Sequence, residues 1–350
     1  MDYSFIGEIM INIIYQLTSP KLFEESFDEV SDLNNHVIIR PTYLSICLAD
    51  QRYYQGSRDP KTLSEKLPMA LIHEGIGKVL KDNTGTFENN DNVVMIPNTP
   101  VETDEVISEN YLRSSKFRGS GFDGFLQDYI ISTPERLVKL PNNINKEVAT
   151  FTELVSVSVH AIDRFSNISH QRKNRIGVWG DGNVGYITSL LLKILYPQSE
   201  IIVFGVHEEK LTLFSFVDTI FKVNEVPDNF CIDHAFECVG GKGSQSAIDQ
   251  IIQTINPEGT IALLGVSENP VVVNTRMILE KGLFLYGTSR SSRKDFLKTI
   301  KIFEKYPKIV SYLENIINNI IEIKELEDLN KAFERDLNSE FGKTILKWDK

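Results

Sequence analysis

Arg175-Ile176-Gly177-Val178-Trp179-Gly180-Asp181-Gly182-Asn183-Val184-Gly185 is the stretch on which the fold turns. A short apolar run leads into a Gly-x-Gly-x-x-Gly pattern, and residues 186–195 continue with the apolar character of a helix. The glycines alone say little; a strand before them and a helix after them supply the context that a dinucleotide-binding turn requires. Gly180 permits the tight turn, Gly182 lets backbone approach a pyrophosphate, and Gly185 lets the helix pack closely on its strand. Asp181, Asn183 and Val184 complete the turn, and the helix N-terminus stabilises the anion.

Outward from that turn the pattern continues. Candidate strands at 176–179, 201–204, 234–237, 261–264 and 283–286 alternate with helical stretches, as in a doubly wound parallel sheet. Val239 and Gly240, after the third of these strands, join the candidate cofactor residues. The end of the second strand bears on which nicotinamide is used, because an acid about 20 residues after the glycines normally takes the ribose 2′-hydroxyl. Gly205 stands there instead. It is expected to leave room for a 2′-phosphate within reach of His207 or Lys210, which favours NADPH, although Glu208 and Glu209 follow closely.

The first half reads differently. Short apolar runs at 37–39, 76–80, 93–96 and 129–131, each near turn residues, suggest an irregular barrel of short strands. Near the C-terminus, helical patterns at 294–305 and 326–336 precede a terminal strand at 344–348, and residues 315–323 read only as biased toward Asn and Ile. The expected architecture is α/β, with a barrel-like catalytic domain over 10–155 and 291–350 and a dinucleotide-binding domain over 156–290. Residues 1–9 read as a leader ahead of a first sheet-like segment at 11–17, with Met10 as the physiological start.

The bulk composition sets limits. At 350 residues, 41% hydrophobic and 24% charged, the chain is long enough for two domains with sizeable cores. A formal net charge of −11 argues against nucleic-acid or anionic-membrane partners, so an anionic substrate needs locally placed cations. No run is long and apolar enough to span a membrane. Three cysteines, Cys47, Cys231 and Cys238, form no disulfide framework; the last two fall in what reads as one buried strand region, and a cytoplasmic location is expected.

Cys47 follows a strand in Leu44-Ser45-Ile46-Cys47-Leu48-Ala49-Asp50, and His73-Glu74-Gly75 precedes another. Thiolate, imidazole and carboxylate suit Zn²⁺, and three protein ligands with an open fourth position suit Lewis-acid catalysis. Singly, each residue reads equally well as packing, as His160 does on its apolar helical face. In order along the chain, however, Cys47-x-x-Asp50, His73-Glu74-Gly75-x-Gly77, Asp123-Gly124, Glu153 at the head of a helix, and the glycine turn resemble the medium-chain dehydrogenase/reductase superfamily. The resemblance implies a GroES-like barrel joined to a Rossmann domain. It also implies one catalytic zinc per chain on Cys47, His73 and Glu153, intermittently on Glu74, with Asp50 behind them. Glu153 in place of Cys resembles the polyol dehydrogenase branch.

Two departures stand out. Residues 98–118 lack the four cysteines of the superfamily's structural zinc lobe. Ala49 replaces the Ser or Thr that relays a proton, which leaves water on the metal, Glu74 or a substrate hydroxyl for that task.

Within the superfamily, Pro41 to Cys47, Asp50-Gln51-Arg52-Tyr53-Tyr54, His234-Ala235-Phe236-Glu237-Cys238-Val239-Gly240-Gly241 and residues 282–295 resemble the bacterial ribulose-5-phosphate reductase family. That family reduces a phosphorylated pentulose with NADPH and supplies ribitol 5-phosphate, beside a cytidylyltransferase, for CDP-ribitol and hence teichoic acid or capsule. Homodimerisation through the Rossmann domain is implied by the superfamily. Arg290, with Ser289 and Ser291, heads the candidates for the substrate phosphate, followed by Arg52, Arg293, Arg58, Lys116 and Arg118. Two rivals remain at this level: an NAD-dependent polyol dehydrogenase acting on an unphosphorylated sugar alcohol, and a zinc-free binding protein on the same fold.

Overall fold

The computed structural model describes residues 10–30, 33–339 and 341–350. The segment 1–9, read as a leader, lies outside them. The described chain divides into two units. The first runs to Glu153 and adds Ser292–Lys305 and Ile317–Lys350; the second comprises Leu154–Ser291 and Tyr306–Ile316.

In the first unit, strands Leu22–Val30, Met10–Ser19 and Met69–Ala70 form a three-stranded sheet. A seven-stranded sheet runs Leu137–Lys139, Asn92–Met95, Glu74–Asp82, Val37–Ser45, Lys343–Trp348, Ile317–Ile323, with Ile130–Ser132 also paired to Val37–Ser45. Alternation of apolar side chains directs Val37, Ile39, Leu44, Val79, Val93 and Leu346 into one core, which the helix Leu326–Leu337 closes with Leu329, Ala332 and Phe333. Phe333 is fully buried and packs against Tyr54 at 4.8 Å and Phe23 at 5.4 Å between ring centroids.

The second unit is a six-stranded parallel sheet in the order Thr219–Lys222, Glu200–Gly205, Arg175–Trp179, Ile232–Glu237, Ile255–Leu263, Phe284–Gly287. Five of these strands match the sequence expectation. Thr219–Lys222 was not anticipated, because as an edge strand it buries little and its Thr-Ile-Phe-Lys run has no sustained pattern. The helix Asn183–Leu195 starts directly at the glycine turn and buries Tyr186, Ile187, Leu190, Leu191 and Leu192.

Three expectations need correction. Residues 317–323, read as mere compositional bias, form a strand parallel to Lys343–Trp348, with side chains alternating between the sheet's two faces. Residues 306–316, expected with the first domain, belong to the second unit: the helix Lys308–Glu314 lies against the helix after the glycine turn, and the Tyr186 hydroxyl donates to the Tyr312 carbonyl at 2.9 Å. Cys231 is exposed, and only Cys238 is buried. No described helix is long and apolar enough to cross a membrane.

Candidate metal centre and dinucleotide site

The metal cluster lies in the first unit. Cys47 follows the strand Val37–Ser45 and caps the helix Leu48–Tyr54, while His73 and Glu74 enter the strand Glu74–Asp82. Those two strands pair antiparallel, with Ser45 opposite Glu74, which brings residues far apart in sequence together. The ligand-type atoms of Cys47, His73 and Glu74 all lie within 4.8 Å of one another.

Asp50 ties the two segments together. Its carboxylate, fully buried, accepts from the Cys47 amide at 2.9 Å and the Ile72 amide at 3.0 Å, and lies 3.6 Å from His73 Nδ1. Ile72 itself sits at φ 71°, a region that β-branched residues avoid. The surroundings hold it there: the Phe125 amide donates to its carbonyl at 2.8 Å, and Gly124 lies so close that a Cβ would meet the Leu71 and Ile72 carbonyl oxygens at 2.3 Å. Strain over-determined in this way, one residue before His73, fixes the direction in which the imidazole leaves the chain. The Asp123-Gly124 element thus has a physical reason.

Glu153, in the first turn of the helix Thr152–Ile168, is buried beside this cluster but outside its tightest set. Burial and the Glu74 charge push its carboxyl up to about 7, against the pull of His73 and Lys343. Lys343, which the sequence reading did not single out, is 3% exposed; its ammonium donates to Glu74 Oε1 at 2.9 Å and the Ile46 carbonyl at 2.8 Å. Its only signal in the sequence is a charge at an inward position of the terminal strand, and that is visible only once the strand's phase is known.

The donors fit a cation. Glu74 Oε2 and His73 Nδ1 are buried with no hydrogen-bond partner. Burial disfavours a charged His73, yet Asp50 and Cys47 outweigh it and hold its pKa well above the usual imidazole value. A half-buried thiol with a buried imidazole and buried carboxylates, which together attract positive charge, matches the ligand chemistry of zinc.

The dinucleotide turn lies in the second unit. Gly180 adopts φ 128° with Cys238 backbone 2.9 Å from where its Cβ would stand, and a Cβ on Gly185 would lie 1.9 Å from the Gly180 carbonyl oxygen. Both positions therefore demand glycine. A Cβ on Gly182 would meet nothing within 4 Å: it borders a cavity of about 530 Å³ whose floor includes Trp179 and Phe204, stacked at 3.8 Å. Val239 lines the same cavity. Glu237, buried, accepts from the Val239 and Gly240 amides at 3.0 and 2.9 Å and fixes that loop. Open space at Gly182, beside the N-terminus of a long helix, fits a pyrophosphate.

At Gly205 the expectation of open space does not hold. The room is filled by Asp181, whose Cβ and Oδ2 would lie 2.8 and 2.9 Å from an added Cβ. Its Oδ2 accepts from the Val206 and His207 amides at 2.7 and 2.8 Å and from His207 Nδ1 at 3.0 Å. An acid is thus present at the strand end after all, supplied from the glycine turn. Lys210 lies half-buried on the short helix Glu208–Leu211.

The candidate phosphate ligands separate clearly. Arg290 is half-buried at φ 60°, a strained backbone conformation, beside exposed Ser289. Ser291 is buried and its hydroxyl pairs with that of Ser156 at 2.6 Å. Arg118 is spent on the Asp123 and Ile131 carbonyls at 3.3 and 3.1 Å, with burial lowering its pKa to about 10. Arg58 packs over the Tyr53 ring at 5.0 Å, Lys116 is exposed, and Arg52 is half-buried on the helix after Cys47. The Arg293 amide donates to Glu109 at 2.7 Å.

Comparison with known proteins identifies the family of the chain. The family model for the alcohol dehydrogenase GroES-like domain matches residues 34–142, and that for zinc-binding dehydrogenases matches residues 184–305. The chain is 53% identical to ribulose-5-phosphate reductase of Bacillus spizizenii over 340 residues, 97% of this chain and 100% of that protein. It is 55% identical to ribulose-5-phosphate reductase 1 of Staphylococcus aureus over 339 residues, 97% and 99% of the two chains. The crystal structure of S. aureus TarJ in complex with NADPH superposes with a TM-score of 0.88 at 50% identity, covering 97% of this chain and 100% of that one.

Proposed function

Since this chain belongs to the ribulose-5-phosphate reductase family of medium-chain dehydrogenases and is an oxidoreductase, we propose that it reduces the C2 ketone of D-ribulose 5-phosphate to D-ribitol 5-phosphate with NADPH and one catalytic zinc. The observation that carries this reading is the cluster of half-buried Cys47 with buried His73 and Glu74, built around Asp50, in a chain that also holds the glycine turn. When bound, zinc polarises the ketone and NADPH supplies the hydride.

The chain's own residues do the rest. Cys47, His73 and Glu153 would hold the metal, with Glu74 available as an intermittent fourth ligand. Asp50 keeps the Cys47 and His73 segments in register through the Cys47 and Ile72 amides. Lys343 holds one oxygen of Glu74 and leaves Oε2 without a protein partner. Glu74 Oε2 is therefore the atom we assign to proton transfer, since Ala49 has no hydroxyl. Gly180, Asp181, Gly182, Asn183, Val184, Gly185, Val239 and Gly240 bind the dinucleotide, and Arg290 holds the substrate phosphate.

The product would feed CDP-ribitol synthesis beside a cytidylyltransferase, in the cytoplasm where NADPH and sugar phosphates are available. A homodimer through the second unit is supported by the edge strand Phe284–Gly287, where Phe284 is 58% exposed, and by Leu279 at 80% on the preceding helix.

The test is NADPH absorbance with zinc-loaded protein on D-ribulose 5-phosphate, D-ribulose and D-xylulose 5-phosphate, repeated with NADH. Turnover is expected with the first sugar and NADPH, and Arg290→Ala should raise KM for it about tenfold or more with little change in NADPH affinity. An unchanged KM removes Arg290 from the site. Oxidation of a free polyol with NAD, without reduction of any phosphorylated sugar, would replace this reading by that of a polyol dehydrogenase.

A further inference from the structure

The acid that normally ends the second strand of a dinucleotide-binding sheet reads the ribose 2′-hydroxyl and repels a 2′-phosphate. Here that strand ends in Gly205, yet a carboxylate stands beside it, reaching across from the glycine turn. Asp181 is a hydrogen-bonding hub. A carboxylate only accepts, so the 3.0 Å contact with His207 Nδ1 assigns the proton to that nitrogen. Together with the Val206 and His207 amides, three N–H groups converge on the single oxygen Oδ2. Burial works against the Asp181 charge, but these bonds hold its pKa below the usual carboxylate range.

The consequence concerns His207. Its side chain is 48% exposed, that of Asp181 only 12%, and both residues border the cavity. The buried partner is fixed and the exposed ring is aimed by it. With Nδ1 engaged, Nε2 is the ring nitrogen left to meet a ligand, and in the imidazolium it is an N–H donor suited to an anion.

We propose that Asp181 and His207 act as a couple that reads the 2′ position of the adenosine ribose, His207 binding a 2′-phosphate and Asp181 acting as the residue that positions it. The acid has moved from the strand end, where it would face the ribose, to the turn, where three N–H groups offset its charge. An acid at position 205 is barred by the same arrangement, because its Cβ would overlap Asp181. Specificity therefore rests on two residues 26 positions apart rather than on the strand end alone. This inference rests on the NADPH reading above and deepens it.

Titration of the protein with NADPH and NADH, followed by nicotinamide fluorescence, and with 2′,5′-ADP and 5′-AMP, followed by calorimetry, tests it without turnover. His207→Ala is expected to weaken NADPH and 2′,5′-ADP about tenfold and to leave NADH and 5′-AMP within about twofold. Asp181→Ala should shift the same ratio in the same direction. In the double variant the two losses should not add, since one acts through the other. Asp181→Asn, which keeps an acceptor for the two amides, gives an intermediate ratio and guards against a collapsed loop.

Tighter NADPH binding by Asp181→Ala would identify Asp181 as an ordinary repelling acid and overturn the proposal. So would an unmoved NADPH to NADH ratio in His207→Ala. Failure of the unaltered protein to bind either nicotinamide would instead overturn the cofactor reading beneath it.

Discussion

Ile72 shows how a single residue's backbone prepares a site. Its φ of 71° is held by the Asp50 carboxylate on its amide and the Phe125 amide on its carbonyl, and Gly124 is the residue whose lack of a side chain allows the approach. Gly124→Ala forces a Cβ to within 2.3 Å of two backbone carbonyl oxygens. We expect a loss of about 1–3 kcal/mol in urea unfolding and substoichiometric zinc after purification. Full stability with full zinc would show that the Gly124 contact is dispensable. His234 makes a separate point about charge. It is fully buried, accepts from the Thr260 amide at 3.2 Å and meets the Arg172 carbonyl at 3.0 Å, which fits the neutral ring. Burial, with help from His170 and Lys173 and against Asp233, lowers its pKa from 6.5 to about 4. The folded value lies below the unfolded one, so the stabilising contribution is complete above pH 6.5. As pH falls toward 4, the unfolded chain takes up a proton that the folded chain refuses, and stability drops by up to about 3 kcal/mol. Urea midpoints at pH 7.5 and pH 5 should therefore differ less in His234→Gln than in the unaltered protein; equal pH dependence in both would exclude His234 as the source.

At the scale of elements, period and length decided what could be read. The helix Asn183–Leu195 and the strands around it carry long apolar patterns, and their positions follow from the sequence. Ile317–Ile323 shows the limit: burial alternates along the strand, but Ile-Asn-Asn-Ile-Ile-Glu-Ile itself does not alternate in polarity and carries a weak signal until Lys343–Trp348 pairs with it. Lys343 became legible at the same moment, since only the strand's register turns that lysine toward Glu74. The helix Leu326–Leu337 closes this half of the molecule through Phe333. Phe333→Ala removes a fully buried ring and should cost about 3–5 kcal/mol, seen as a lowered urea midpoint of the first unit. A shift under about 1 kcal/mol would mean that Tyr54 and Phe23 close the gap.

For the whole molecule, composition bounds function more than it specifies it. With a net charge of −11, the phosphate of the proposed substrate would have to be met by individual cations, for which Arg290 is the residue proposed. Residues 98–118 carry no cysteine, and Cys47, His73 and Glu74 are the metal-type cluster among the described residues. Native mass spectrometry should accordingly find a dimer with one zinc per chain, and chelation should lower the melting temperature. Two zincs per chain, or none with full activity, would refute the single-site reading. The sequence by itself determined the glycine turn, the parallel sheet and which side chains are candidates for metal donors. Each of these depends on local geometry: a strand, a turn that only glycine can make, or a side chain whose chemistry travels with it. The tertiary structure alone decided that Asp181 fills the space at Gly205, that Lys343 pairs with Glu74, that Ser291 is buried and that 306–316 belongs to the second unit. Those are contacts between residues distant in the chain, set by register and close packing, and no local pattern encodes them.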